Sequence, residues 1–179
     1  MKFGEIKNCD IANGLGVRVS LFVSGCTHHC EGCFNQVSWD FDYGEEFTDE
    51  VQEHILEWMR PSFIAGLTLL GGEPMEPSNQ KALLPFLKKV KARYPKKNIW
   101  LYSGYLFERD ILGTSRIHSP TTDELIALID VLVDGEFVLE KKDIALKFRG
   151  SSNQRIIDVK ASLKRGETVL VESLMKDSL

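Results

Sequence analysis

Four short apolar runs stand out along the chain: "VRVSLFV" (Val17–Val23), "LTLL" (Leu67–Leu70), "IWLY" (Ile99–Tyr102) and "VLV" (Val131–Val133). The last three are continuous rather than alternating, the pattern of strands covered on both faces of a parallel sheet. Between them the apolar spacing changes to a helical period. Thr48 is placed to cap a helix carrying Val51, Ile55, Trp58 and Met59, with Pro61 marking its end. Leu83, Leu84, Leu87 and Val90 repeat at helical spacing, with Pro85 either opening or kinking that helix. Thr121 and Glu124 read as a capping box ahead of Leu125, Leu128 and Ile129. Strand and helix alternate, so the pattern predicts an α/β fold with a parallel sheet, one domain over residues 1–179.

The same pattern predicts where chemistry gathers. Right-handed strand–helix–strand units bring the loop after each parallel strand to one edge of the sheet, where barrels and open α/β sheets build their sites. Those loops are "SGCTHHCEGCFN", "GGEP", "SGY" and "DGEF". Four unusual loops are therefore expected to converge.

Composition narrows the class. Charged residues make up 27% of the 179 residues and the net charge is −4, a balance that disfavours nucleic acid as a partner. The basic run "KKVKARYPKK" (Lys88–Lys97) reads as the solvated face of a helix. The opening "MKFGEIKNCDIANG" lacks the apolar core of a secretion signal, and no apolar run reaches the ~20 residues that a membrane-spanning helix needs. A cytoplasmic protein without a membrane partner is expected.

Three of the four cysteines, Cys26, Cys30 and Cys33, fall in one loop at spacing C-x3-C-x2-C. In a reducing compartment such crowding points to metal rather than disulfides. Zinc would complete a Cys3His set with His28 or His29, although structural zinc ligands usually come as two separated pairs. A four-iron cluster would leave one iron without a protein ligand. Cys9, on the far side of the first strand, reads as an inert thiol packed like a small hydrophobe, with a fourth-ligand role as the alternative. If the metal is iron–sulfur, His28 and His29 are loop residues.

The cysteine loop after the first of these strands, with "GGEP" after the second, resembles the radical S-adenosylmethionine superfamily. Adding "NGLGVRVSLFVSGCTHHCEGCFN", "VLVDGEFV" and "RGSSNQRIID", the resemblance runs from residue 13 to 158 and is to the activating enzymes of anaerobic ribonucleoside-triphosphate reductases. It implies an incomplete parallel β/α barrel. It also implies a [4Fe-4S] cluster on Cys26, Cys30 and Cys33, with S-adenosylmethionine chelating the open iron. One electron would cleave the sulfonium to methionine and a 5′-deoxyadenosyl radical, which takes hydrogen from a glycine of the reductase large subunit.

Further roles follow from the resemblance. Gly71, Gly72 and Glu73 would meet the methionine moiety, and Gly32 and Phe34 the adenine end. Ser103 and Asp134 would contact the cofactor, Asp134 at the ribose. Flavodoxin or a similar one-electron donor is implied. An activase for another glycyl-radical enzyme such as pyruvate formate-lyase is the nearest rival, and a zinc-binding interaction module the rival from another class. No physical role for Gly150–Arg155 is apparent from the residues.

Overall fold

The four apolar runs become adjacent strands of one seven-stranded sheet. The computed structural model describes residues 1–176. The strands are β1 (Lys2–Asp10), β2 (Val17–Val23), β3 (Glu45–Glu46), β4 (Ile64–Gly71), β5 (Asn98–Ser103), β6 (Val131–Asp134) and β7 (Arg155–Asp158), in spatial order β3-β1-β2-β4-β5-β6-β7. The central four, β2, β4, β5 and β6, are parallel. Both flanks are antiparallel, β1 and β3 on one side and β7 on the other. The sheet is open.

The helices are α1 (Asp49–Trp58), α2 (Pro77–Arg93), α3 (Pro120–Ile126), α4 (Val159–Arg165) and α5 (Glu172–Met175). Successive strand residues point to opposite faces, and the two faces differ. Val19, Leu21, Leu67, Leu69, Ile99 and Leu101 turn toward α1, α2 and α3 and form the main core with them. The other face carries Arg18, Thr68, Trp100 and Tyr102, partly roofed by loop 135–154 and α5.

Arg18 is fully buried there. Its guanidinium donates to Thr68 Oγ1 (2.6 Å), Leu15 O (3.0 Å) and Leu67 O (2.8 Å), and lies over the Trp100 ring. Four-way satisfaction of this kind is what makes a buried cation tolerable.

Three expectations are corrected. The capping pair at α3 is two residues earlier: Pro120 opens the helix, and the Ser119 N–H donates to Thr122 Oγ1 (3.0 Å). In α2, Pro77 takes the first-turn position and Pro85 sits in the helix interior, where the Lys81 carbonyl loses its helical donor. The fourth parallel strand, β6, is followed by an irregular loop with one 3-10 turn (Leu139–Lys141) and then by antiparallel β7, so the strand–helix alternation stops after three parallel crossovers.

The basic run is spent on ion pairs. Lys88 reaches Glu124, Lys89 Asp49, Lys91 Asp130 and Arg93 Glu53. No helix among the described residues is long and apolar enough to cross a membrane.

Candidate functional site

The loops after β2, β4, β5 and β6 meet around a cavity of about 540 Å³, within the range of small-molecule sites. Cys26, Cys30, Cys33, Gly71, Gly72, Glu73, Ser103, Gly135 and Glu136 all line it, together with Asn13 and Tyr102. Convergence at the carboxyl edge follows from the parallel register of the four central strands.

The cysteine loop is held by the "GGEP" loop beside it. Gly72 N–H donates to Val23 O (2.7 Å) and Glu73 N–H to Gly25 O (2.8 Å). Asn79 Nδ2 reaches Ser24 O (3.0 Å). Both glycines of the turn are dictated by space. Gly71 has φ +109°, and a Cβ on Gly72 would lie 2.6 Å from Gly25 O and 2.9 Å from Ser38 O.

Two carboxylates complete the clamp. Glu76 is buried, and its Oε1 accepts from Thr27 N–H (3.2 Å), Thr27 Oγ1 (2.6 Å) and Arg116 Nη2 (2.9 Å). The Tyr105 hydroxyl bonds to both Arg116 and Glu76. Glu73 is 1% exposed. Its Oε1 accepts from Met75 N–H (2.8 Å) and Ser103 Oγ (2.9 Å), and its Oε2 from Gly104 N–H (2.7 Å) and His28 Nε2 (3.0 Å).

His28 is therefore more than a loop residue. Its Nδ1 lies 2.8 Å from Glu136 Oε1, and its ring packs 4.4 Å from that of Tyr105. Burial opposes a charge on the ring, but the hydrogen bonds and charges of Glu73 and Glu136 prevail and hold His28 above the usual imidazole range. His29, with φ +51°, stacks on Trp39 at 4.5 Å.

The three thiols are free. Burial pushes the Cys26 thiol up to about 12, against opposing hydrogen bonds from the backbone N–H groups of His28 and His29. Cys30 is raised by burial too, and its sulfur accepts from the Phe137 N–H. Among the described residues no three Cys, His, Asp or Glu side chains are grouped to hold a single metal ion. Both ring nitrogens of His28 are engaged by carboxylates. His29 lies outside the cavity lining, so neither histidine is placed to complete a Cys3His zinc set, whereas three soft thiols lining one cavity with backbone N–H groups on two sulfurs suit an iron–sulfur cluster.

The other expected site residues divide. Phe34 lines the cavity mouth and is 90% exposed. Gly32 has φ +73°, with the Leu139 side chain where a Cβ would go. Ser103 reaches the cavity, but its hydroxyl serves Glu73 and accepts from Tyr105 N–H. Asp134 is not brought to the cavity. It is fully buried, accepting from Arg155 Nε (2.9 Å), Arg155 Nη2 (2.5 Å) and Phe107 N–H (2.9 Å). The carboxylate that this loop turns to the cavity is Glu136. Cys9, expected as a packed thiol, is exposed on β1 and lies outside the cavity lining.

Gly150–Arg155 acquires a physical role. Gln154 Oε1 accepts from Gly150 N–H (2.8 Å), and its Nε2 donates to Gly135 O (2.9 Å). Asn153 Nδ2 donates to Glu136 O (2.8 Å), and Ser151 Oγ accepts from Val138 N–H (3.2 Å). The segment clasps the loop after β6 and sets Glu136. Glu76, Arg116 and Glu136 were not singled out from the sequence. Glu76 carried a signal, a second acid three residues after Glu73.

A family model described as a 4Fe-4S single cluster domain matches residues 12–157. Curated relatives named anaerobic ribonucleoside-triphosphate reductase-activating protein match most of the chain. That of Haemophilus influenzae is 44% identical over 87% of this chain and 97% of its own length. The Vibrio cholerae relative is 41% identical over 87% and 97%, and that of Escherichia coli 38% over 86% and 96%. With a match of this extent the chain belongs to the family of anaerobic ribonucleoside-triphosphate reductase-activating proteins.

Proposed function

We propose that this chain is a radical S-adenosylmethionine enzyme, an oxidoreductase that generates a glycyl radical on the large subunit of an anaerobic ribonucleoside-triphosphate reductase. The observation that carries the reading is the lining of one cavity by Cys26, Cys30, Cys33 and the Gly71–Glu73 turn. When bound, the [4Fe-4S] cluster supplies the electron that cleaves S-adenosylmethionine into methionine and a 5′-deoxyadenosyl radical.

The chain's own residues bind and orient. Cys26, Cys30 and Cys33 would hold the cluster. Gly71 and Gly72 let the backbone come close to the methionine moiety. Glu73 sets a negative charge near its ammonium group in a site shielded from water. The Gly32 backbone and the Phe34 ring take the adenine end. Ser103 acts through Glu73, and Asp134 acts by fixing Arg155. Flavodoxin or a similar one-electron donor reduces the protein, which works in the cytoplasm without nucleic acid or membrane.

Anaerobic reconstitution tests this. The expected product is brown, oxygen-sensitive, and releases methionine from S-adenosylmethionine when reduced. Mixed with the reductase large subunit it gives a glycyl radical signal by electron paramagnetic resonance. A signal only with pyruvate formate-lyase would assign the other activase. A colourless protein with one zinc per chain would replace both by the interaction module.

A further inference from the structure

We propose that His28 is the positioning residue for the Glu73 carboxylate, and that Glu136 sets His28. The inference rests on the reading of the cavity as a S-adenosylmethionine site and adds a residue to it.

Glu73 accepts from two donors on each oxygen, so four contacts together set the orientation of its carboxylate. Three of the four donors come from the "GGEP" turn and the loop after β5, so they fix the carboxylate to its own wall. The fourth, His28, is the one donor that ties it to the cysteine loop. An ammonium group arriving near Glu73 therefore meets a carboxylate held from both sides, with His28 supplying the hold from the cysteine loop.

The ring is built into place. A Cβ on Gly104 would lie 2.6 Å from His28 Nε2, so the glycine after Ser103 is what admits the ring. Tyr105 covers one face at 4.4 Å. Glu136 takes Nδ1, which turns Nε2 toward Glu73 Oε2. Glu136 is itself carried on the loop that Asn153 and Gln154 clasp. Asn153, Glu136, His28 and Glu73 thus form one chain of contacts from the loop after β6 to the loop after β4.

The test uses the anaerobically reconstituted protein. His28→Phe keeps ring volume against Tyr105 and removes both nitrogens. The expected result is unchanged iron content and absorption spectrum, with S-adenosylmethionine affinity in equilibrium dialysis weakened about tenfold or more, the scale of losses when a ligand-orienting partner is removed. Methionine release at saturating S-adenosylmethionine stays within about threefold, a split between binding and turnover. His28→Gln, whose amide nitrogen reaches Glu73, recovers part of the affinity.

Equal or tighter binding by His28→Phe overturns the proposal. If His28→Phe fails to fold or to hold iron, Glu136→Ala decides: weaker binding at wild-type iron content supports the proposal, and unchanged binding overturns it. Wild-type protein that holds the cluster yet binds no S-adenosylmethionine would instead overturn the function proposed for the cavity.

Discussion

Glu76 accepts hydrogen bonds from both the backbone and the hydroxyl of Thr27, the residue that follows the first cysteine of the loop. Its neighbour Glu73 takes His28, the next residue along. Two acids three apart, just ahead of α2, therefore grip consecutive residues of the cysteine loop. Glu76→Ala leaves Thr27 and Arg116 without this acceptor. The expected cost is about 1–3 kcal/mol in urea unfolding of the metal-free protein. The reconstituted variant should also lose iron to a chelator faster than wild type.

Gly72→Ala tests the contact between the two loops. The added carbon meets Gly25 O and Ser38 O, both backbone atoms that cannot swing aside. Overpacking of this kind costs about 1–3 kcal/mol. Because Gly25 immediately precedes Cys26, the variant is expected to hold less iron than wild type at equal protein, by iron analysis after reconstitution.

Replacing Cys26, Cys30 or Cys33 singly with Ala should abolish the cluster absorption. Cys9→Ala should leave it at wild-type intensity, since Cys9 is exposed on β1 and away from the cavity. Loss of the absorption in Cys9→Ala would overturn the three-ligand assignment.

Acid stability should depend on Glu108. Its hydrogen bonds from Arg155 hold the carboxyl down to about 2, against 4.5 for the free group. A lowered folded value means that the unfolded chain takes the proton first on acidification. The stabilisation is present above about pH 4.5 and is lost as pH falls toward 2. Glu108→Gln should flatten that fall in thermal unfolding measured across the window. The pair is half exposed, so added salt should shrink the difference.

The four central strands were legible because each is buried on both faces: three read as continuous apolar runs, and β2 as an apolar run broken by Arg18 and Ser20. The convergence of the loops followed from their parallel order. The flanking strands were not legible. β1 reads "KFGEIKNCD" and β7 "RIID", and their pairing depends on an edge already in place rather than on their own composition.

The capping pair at α3 was misplaced because Ser119 and Thr121 are both good capping types, and Pro120 decides between them. His28 was passed over because a histidine beside cysteines suggests a ligand or nothing. Its actual partners, Glu73 and Glu136, lie 45 and 108 residues away, where local spacing carries no information. Asp134 looked available because it ends a strand at the site edge. Its carboxylate is taken by Arg155, which no local pattern reveals.

The open side of the sheet separates two kinds of evolutionary freedom. Thiols, glycine turn and Glu73 are locked to four strands that share one core, so a change at one is felt by the others. The loop between β6 and β7 is fastened largely by the side chains of Ser151, Asn153 and Gln154. Its outer residues, such as Ile144 at 94% exposure, line the cavity without belonging to a strand. Substitutions in that outer stretch should therefore change access to the cavity while leaving the sheet beneath it intact.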